Sequence, residues 1–229
     1  MGKKKRILIF IDWYLPGFRA GGPIQSCANL IERLKDEFEF SVVTSDSDLG
    51  DSSPYANIKS DHWNVLENGT RVYYFSKKNI TFYTLKQFLL NEKFETIYIN
   101  SLFSKYFTIY PLLILRFVKK EIRIIIAPRG MLGTGALTIK YFKKKSFILA
   151  SKLMGLYTNV VWHASTEREE EEIKKAFGSG SEVKIALNLS SVRKIERIKR
   201  IKEPGKLNLI FISRISFKKN LHTAIHFLS

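Results

Sequence analysis

Ala20-Gly21-Gly22-Pro23-Ile24-Gln25-Ser26 joins an apolar first segment, residues 6–11, to the first segment with helical periodicity. Two adjacent glycines accept a positive φ and a closely approaching ligand, and Pro23 suits a first helical position, where its missing N–H costs nothing. The next apolar residues recur every three or four positions, as one helix stripe does: Ile24, Cys27, Ala28, Ile31 and Leu34. The pattern predicts strand, turn and helix, with backbone N–H groups placed to bind an anion such as phosphate. Alternatively, the glycines serve only the shape of a tight turn.

Outward from this turn, apolar β-branched segments alternate with helical periods, which is typical of a parallel sheet with crossover helices. The predicted strands are residues 6–11, 40–44, 71–75, 96–100, 123–127, 160–164 and 183–187. The predicted helices are residues 23–36, 81–91, 106–119, 137–156 and 166–177. We therefore expect an α/β fold over residues 1–189: a Rossmann-like parallel sheet with helices on both faces. The polar residues 45–69 read as one long loop at a strand's carboxyl end.

Residues 190–205 are strongly basic and end in Lys-Glu-Pro-Gly, the composition of a linker. Residues 206–229 then predict a strand at 206–213, a loop and a helix at 221–229, which would open an incomplete second Rossmann-like unit. A single strand, loop and helix cannot bury both faces. We therefore expect either that this unit docks on the first domain or that the chain is a shortened form of a longer protein.

The net charge of +17 implies an anionic partner, and nucleic acid, an anionic membrane surface and a nucleotide-diphosphate substrate all fit it. Each basic cluster alone reads as a solvated helix face, whereas the clusters together favour binding to a surface. No apolar run reaches the ~18 residues that span a bilayer, and the N-terminal run is too short for a secretion signal. These features predict a cytoplasmic protein, peripheral at the inner face of the membrane. The single cysteine, Cys27, excludes an internal disulfide and reads as a core residue.

Thr166-Glu167-Arg168-Glu169 has the form of a helix-capping box, in which a threonine hydroxyl and a glutamate satisfy the first backbone N–H groups. More acids follow in the first turn, and Gly178 ends the helical period. Adjacent helical residues do not face one another, so the acids at 169–172 do not predict a metal site.

Four stretches together resemble the family 4 (group 1) glycosyltransferases of the two-domain GT-B type, which act in capsule and lipopolysaccharide synthesis. The stretches are Gly21-Gly22-Pro23, Ala127-Pro128-Arg129-Gly130-Met131-Leu132 with the basic segment to Lys145, His163-Ala164-Ser165-Thr166-Glu167, and Ser213-Arg214-Ile215-Ser216 with Lys219. They follow the family's order along nearly the whole chain. The resemblance identifies residues 1–189 with the acceptor-binding domain and residues 206–229 with the start of the donor-binding domain.

The resemblance implies a retaining transfer from a nucleotide-diphosphate sugar to a lipid-linked or polysaccharide acceptor, with no metal and no cofactor besides the nucleotide sugar. It implies that Gly21, Gly22, Arg214 and Lys219 bind the donor diphosphate, because fixed positive groups would replace a metal clamp. The residues expected at the acceptor or in the cleft are Arg129, Asn100, His163 and Glu167. The resemblance identifies no catalytic residue.

Several departures from the family narrow these expectations. Asn100 stands where relatives often carry histidine, Asn220 stands where glycine is usual, and the acidic E-x₇-E donor segment is not among the 229 residues. We therefore expect the chain alone to be weakly active or inactive, and a separate chain could supply the donor domain. Arg129 could equally be a packing arginine, and His163 a hydrogen-bonded structural histidine.

Two other classes of function fit the sequence less well. A basic nucleic-acid- or membrane-binding protein of Rossmann-like fold is the alternative that the charge suggests, although no recognised nucleic-acid-binding motif is present. Asp46, after the second predicted strand, could bind the ribose of a nicotinamide cofactor. The first turn, however, lacks the G-x-G-x-x-G pattern that such a site requires.

Overall fold

The computed structural model describes residues 4–118, 122–138, 140–192, 204–212 and 220–227. Its contacts divide the chain into two compact units, Met1–Val192 and Arg193–Ser229. The strands are β1 (Lys5–Phe10), β2 (Phe38–Ser45), β3 (Trp63–Val65), β4 (Arg71–Phe75), β5 (Thr96–Ile99), β6 (Arg123–Ile126), β7 (Val160–Ala164) and β8 (Val183–Ile185). The helices are α1 (Gly22–Leu34), α2 (Phe82–Asn91), α3 (Tyr110–Leu115), α4 (Thr134–Leu137), α5 (Tyr141–Leu153), α6 (Glu167–Phe177) and α7 (Leu221–His226).

All eight strands form one sheet in the order β3-β4-β2-β1-β5-β6-β7-β8. Each neighbouring pair is parallel, except the pair between β3 and β4, which is antiparallel. β1 lies between β2 and β5, so the chain moves outward to one side of β1 and then returns to build the other side. The carboxyl ends of the parallel strands therefore meet at one edge of the sheet, where α/β proteins place their ligands.

Helices cover both faces of this sheet, as expected for a Rossmann-like fold. On one face, Ile24, Cys27 and Ile31 of α1 pack with apolar residues of β1 and β2. On the other face, α2, α3, α5 and α6 contribute to a larger apolar cluster that includes Trp162. The predicted α/β fold is confirmed. Among the described residues, no helix is both long and apolar enough to cross a membrane.

The seven strands predicted in residues 1–189 all form, but β3 was missed. Residues 45–69 were expected to be loop throughout, and that prediction is wrong at Trp63–Val65. This segment pairs with β4, where Trp63 lies opposite Tyr73 and Val65 lies opposite Arg71. A three-residue strand between Ser, Asp and Asn is too short to show a period of two. It forms because an adjacent strand edge offers partners for its backbone.

Two predicted helices are interrupted. The one at 106–119 begins with a π-helical turn, Lys105–Ile109, before α3. Pro111 has no backbone N–H, so it cannot make the bond that a continuous α-helix would form to the carbonyl of Phe107. The helix predicted at 137–156 is two helices, α4 and α5, because Lys140 adopts a left-handed conformation with φ 59°. A residue in that conformation cannot continue a right-handed helix.

The second unit differs from its prediction. Residues 206–212 form no strand within the described part of the chain, although their composition is that of a strand. Leu207, Ile210 and Ile212 are each at least three-quarters exposed, with Ile212 at 90%. A strand needs a neighbour for its backbone groups, and composition alone does not supply one. The helix predicted at 221–229 is present as α7.

Candidate functional site

Polar side chains from three strand ends and a buried tyrosine converge at the carboxyl edge of the sheet. Asn100 follows β5, Arg129 follows β6, and Asn188 lies shortly after β8. Tyr98, the third of β5's four residues, points to the same cluster and is 5% exposed. We refer to Tyr98, Asn100, Arg129, His163 and Asn188 as the edge cluster.

Arg129 lies at the centre of the edge cluster. Its Nε and Nη2 both donate to Oδ1 of Asn100, at 3.0 and 2.6 Å. Nη2 also donates to the Tyr98 hydroxyl at 2.9 Å, and Nη1 donates to Oδ1 of Asn188 at 2.6 Å. Four of the five guanidinium N–H groups are thus bonded to oxygen atoms that carry no charge.

The charge of Arg129 has no direct counter-ion within the described residues, where no carboxylate lies within 4.0 Å of it. The side chain is only partly buried, and its Asn188 partner is exposed. An anion that displaced Asn188 would therefore meet a guanidinium whose other N–H groups already hold it in place. Such charge-assisted bonds to phosphate or carboxylate are among the strongest hydrogen bonds in proteins.

The Tyr98 hydroxyl connects Arg129 to His163. It lies 2.6 Å from Nδ1 of His163, whose Nε2 lies 2.8 Å from the carbonyl oxygen of Ala186. A carbonyl can only accept, so we place the ring proton on Nε2, and Nδ1 then accepts from the Tyr98 hydroxyl. Burial lowers the pKa of His163, and Arg129 lowers it further, against the opposing effects of the Ala186 carbonyl and Glu169. Burial and the nearby guanidinium therefore favour the neutral histidine, and both of its ring nitrogens are hydrogen-bonded.

Glu169 of α6 holds the loop that carries Arg129. Its Oε1 accepts the N–H of Gly130 at 2.7 Å, and its Oε2 accepts the N–H and hydroxyl of Ser165 at 2.8 and 2.7 Å. Burial alone would raise the pKa of this carboxyl, but these hydrogen bonds outweigh burial and lower it. Arg129 adopts a positive φ of 54°, and Glu169 fixes the residue immediately after it. α6 thereby sets the direction in which Arg129 points.

The expected capping box is accordingly formed in part. Thr166 does accept the N–H of Glu169 at 3.1 Å, as a cap should. Glu169 does not bond back to Thr166 but reaches Ser165 and Gly130. This carboxylate was assigned to the helix cap, whereas it also connects α6 to the loop after β6.

Asp12 lies at the carboxyl end of β1, at the same edge of the sheet. Its Oδ1 accepts the Ser104 hydroxyl at 2.6 Å. Burial raises the pKa of Asp12, and the hydroxyls of Ser104 and Ser101 only partly offset that effect. A carboxyl whose charged form is disfavoured in this way is costly to the fold and is a frequent feature of functional sites.

The glycine turn begins α1 at this edge, but most of its backbone N–H groups are already bonded. The N–H of Gly21 donates to the Phe18 carbonyl at 2.9 Å, and the N–H groups of Ile24 and Gln25 donate to the Gly21 carbonyl at 3.1 and 3.4 Å. Gly21 has φ 72°, so this position does require glycine for its backbone conformation. A Cβ on Gly22 would meet no atom within 4 Å, so the space beside it is open.

α1 also reaches the edge cluster through Cys27. Burial raises the pKa of its thiol to about 11, and the nearby Arg129 guanidinium opposes that rise. The thiol is fully buried in the core, as predicted. It is therefore a packing residue that places α1 against Arg129.

The structure brings together Asn100, Arg129 and His163 among the predicted site residues. Glu167 is exposed at the start of α6 and its side chain makes no hydrogen bond within the described residues, while Glu169, two positions later, faces inward. Arg214 and Lys219 lie outside the described residues, so their predicted role in binding diphosphate stays a prediction. No group of three or more His, Cys, Asp or Glu residues in the described ranges is arranged to hold a metal ion.

The sequence analysis missed Tyr98, Glu169 and Asp12 as parts of the site. Asp12 could have been predicted from the sequence, because a polar residue directly after a parallel strand lies at the carboxyl edge of the sheet. Tyr98 could not, since within a buried strand it looks like any other core aromatic residue.

No protein-family model matches this sequence, and no curated protein is significantly similar to it. The resemblance to GT-B glycosyltransferases therefore stays a prediction that depends on the four stretches quoted above.

Proposed function

We propose that this chain forms the acceptor-binding part of a retaining glycosyltransferase. The reaction would transfer a sugar from a nucleotide-diphosphate sugar to a lipid-linked or polysaccharide acceptor in cell-surface glycan synthesis. The bond from the anomeric carbon to the diphosphate would break, and a bond to an acceptor hydroxyl oxygen would form. The diphosphate would leave with the electron pair, and the acceptor hydroxyl would pass its proton to an oxygen of the leaving diphosphate.

The observation that carries this proposal is that no carboxylate among the described residues pairs with the charge of Arg129. The guanidinium is held by Tyr98 and Asn100 in a fixed direction at the edge where α/β proteins bind ligands. A packing arginine would usually neutralise its charge on a carboxylate, and Arg129 has uncharged partners. In the proposed function, Arg129 binds a phosphate oxygen of the acceptor and displaces Asn188 from Nη1.

The other residues of the edge would support this binding. Neutral His163 and the Tyr98 hydroxyl fix the guanidinium, while Asp12 lies near enough to the carboxyl edge to accept a bond from a sugar hydroxyl. The open space beside Gly22 would admit the donor phosphates or the transferred sugar. Gly21, Gly22, Arg214 and Lys219 are the proposed donor-binding residues, and no metal is invoked.

Titration calorimetry with phosphorylated probes tests the proposal. The probes are inorganic pyrophosphate, UDP, and a sugar linked through diphosphate to a short polyisoprenyl chain. We expect Arg129→Gln to weaken binding of the lipid-linked sugar about tenfold or more, because the charge-assisted contact from Nη1 is lost. Arg123→Gln removes the same charge from the exposed start of β6 and should leave that binding unchanged.

Arg129→Lys retains the charge without the planar fork, and thermal melting shows whether each variant is folded. Radiolabelled sugar transfer from a panel of nucleotide-diphosphate sugars is the activity readout. Equal binding of the lipid-linked sugar by the wild-type chain and a folded Arg129→Gln variant would contradict the proposal. Tighter binding of nucleic acid than of every phosphorylated probe would favour the alternative, a nucleic-acid-binding protein.

A further inference from the structure

The solvent-facing side of α5 is apolar, which is unusual for a surface helix. Phe142, Leu149 and Leu153 are 83%, 61% and 81% exposed. They are spaced by seven and four residues, so they lie in one line along the helix. Met154, directly after the helix, is 59% exposed. We refer to Phe142, Leu149 and Leu153 as the α5 stripe.

The opposite side of α5 already packs on the protein, so the α5 stripe is not a misplaced core face. Phe147 contacts the ring of Phe103 with centroids 5.5 Å apart, and Ser151 is 2% exposed. Lys144 also turns inward and donates to the Ala136 carbonyl at 2.5 Å. α5 therefore packs on the protein with one side and presents apolar residues to solvent on the other, whereas an ordinary amphipathic surface helix is polar toward solvent.

Exposed lysines flank the α5 stripe. Lys145 and Lys152 lie on one side of the stripe in helical projection, and Lys143 lies on the other. Lys140 precedes the first turn and is exposed as well. Within the described ranges, no carboxylate lies within 4.0 Å of these four ammonium groups.

The sequence around α5 increases this local charge. Residues 122–166 contain seven Lys and Arg residues and no Asp or Glu. The apolar surface also continues past the helix end, because Arg116 donates to the Met154 carbonyl at 2.6 Å and the next residue, Phe117, is 82% exposed. An apolar line flanked by lysines that pair with no described carboxylate is what an anionic lipid surface recognises: acyl chains accept the apolar groups, and headgroup phosphates pair with the lysines.

We propose that the α5 stripe and its flanking lysines form a docking surface for an anionic phospholipid bilayer. The helix would lie parallel to the membrane, with Phe142, Leu149 and Leu153 at the boundary between headgroups and acyl chains. This inference rests on the proposed function, whose lipid-linked acceptor would lie in a membrane, and deepens it by assigning the surface that binds that membrane. It requires no glycosyl transfer, and a bilayer-binding chain without that activity would still use this surface.

Vesicle flotation with the full chain tests the proposal. The vesicles are phosphatidylcholine alone or phosphatidylcholine with about one-third phosphatidylglycerol, which gives a negative surface potential. We expect binding to the anionic vesicles, weakened at high salt, and much weaker binding to the neutral ones. The charge variant is Lys143→Gln, Lys145→Gln and Lys152→Gln together. Near an anionic surface, three lysines correspond to about a 100-fold change in affinity.

Matched controls separate a specific surface from general basicity. Lys77→Gln, Lys78→Gln and Lys86→Gln together remove the same charge from other exposed positions and should change binding by about twofold at most, because they lie outside the proposed contact. The apolar variant is Phe142→Ser with Leu153→Ser, and we expect it to weaken binding at least tenfold. Its control is Tyr83→Ser with Val65→Ser, at 69% and 70% exposure.

Three outcomes would overturn the proposal. Equal losses in the two lysine variants would mean that net charge alone governs vesicle binding. Wild-type vesicle binding by the apolar variant would exclude the α5 stripe from the contact. A dimer that becomes a monomer in the apolar variant, without any vesicle binding by the wild-type chain, would assign the stripe to a second copy. Because Arg129 is unchanged in all these variants, their binding of lipid-linked sugar reports on the proposed function separately.

Discussion

Glu169 shows how a single carboxylate connects a helix start to the loop that carries Arg129. One oxygen accepts the Gly130 N–H and the other accepts two donors of Ser165. A glutamine cannot replace it, because its NH₂ group would face at least one of these donors. Glu169 must be ionised here because only a carboxylate can accept hydrogen bonds on both oxygens, and not because it pairs with another charge.

We predict that Glu169→Gln lowers the free energy of unfolding at pH 7 by about 3 kcal/mol, since it leaves buried donors unsatisfied. For a chain of this size that corresponds to a melting temperature lower by about 6 to 12 °C. Differential scanning calorimetry measures both. Glu171→Gln removes the same charge from an exposed position of α6 and should change the melting temperature little. Equal melting temperatures for Glu169→Gln and the wild-type chain would contradict the proposed clamp.

The same substitution makes a pH-dependent prediction. The pKa of Glu169 in the folded chain is lowered from its ordinary value of 4.5, so its stabilising effect is fully present above that pH. The effect is lost as the pH falls through the lowered pKa. The difference in stability between the wild-type chain and Glu169→Gln should therefore shrink below about pH 4.5.

At the scale of single residues, the family resemblance grouped Arg129, Asn100, His163 and Glu167 at one site, and the structure brings the first three together. The sequence did not allow their connection to be predicted. That connection passes through Tyr98, whose hydroxyl accepts from Arg129 and donates to His163. A tyrosine that connects two site residues differs from a core tyrosine only in the direction of its hydroxyl. The alternation of residues in a strand does not predict that direction.

At the scale of elements, the contacts of one side chain, Trp63, stabilise the short strand β3. Trp63 packs against Tyr73 and Phe88, with ring centroids 5.4 and 5.7 Å apart. The Arg71 guanidinium carbon lies 4.5 Å from the centroid of its ring, and its indole N–H donates to Glu92 at 3.0 Å. The tryptophan thus connects a short edge strand to β4 and to the end of α2.

We predict that Trp63→Ala destabilises the chain by about 2 to 3 kcal/mol, below the full cost of a buried tryptophan because the ring is partly exposed. Urea unfolding followed by circular dichroism measures the change. Val65→Ala lies in the same strand at 70% exposure and should cost no more than about 0.5 kcal/mol. A larger loss in Val65→Ala than in Trp63→Ala would show that strand propensity, and not the tryptophan contacts, holds β3.

Helices and strands were predictable from sequence wherever a core face imposed a period. The apolar stripe of α1 and the β-branched runs of β1, β5 and β6 are such cases. The helix predicted at 137–156 failed because the backbone changes direction at a residue that is neither glycine nor proline. Lys140 adopts a left-handed conformation between α4 and α5, and lysine is not a residue type that predicts this conformation.

At the scale of the whole molecule, basic residues far outnumber acidic ones. The chain has 38 Lys and Arg residues against 21 Asp and Glu residues. Between described residues there are five ion pairs, two of them between side chains that are both exposed, and exposed pairs contribute little stability. Repulsion among like charges should therefore outweigh attraction between pairs, and it opposes the compact state.

We predict that added salt stabilises this protein, because screening weakens repulsion over distances beyond the Debye length, about 10 Å at 0.1 M salt. The melting temperature should rise by several degrees as NaCl increases from about 0.05 to 0.5 M. The variant that lacks Lys143, Lys145 and Lys152 should respond less than the wild-type chain, because it removes charges from residues 122–166, a 45-residue stretch without any acidic residue.

At equal ionic strength, sulfate should raise the melting temperature more than chloride if Arg129 binds anions, and Arg129→Gln should abolish that excess. A melting temperature that falls with NaCl would mean that ion pairs, and not net repulsion, dominate the electrostatics of the fold.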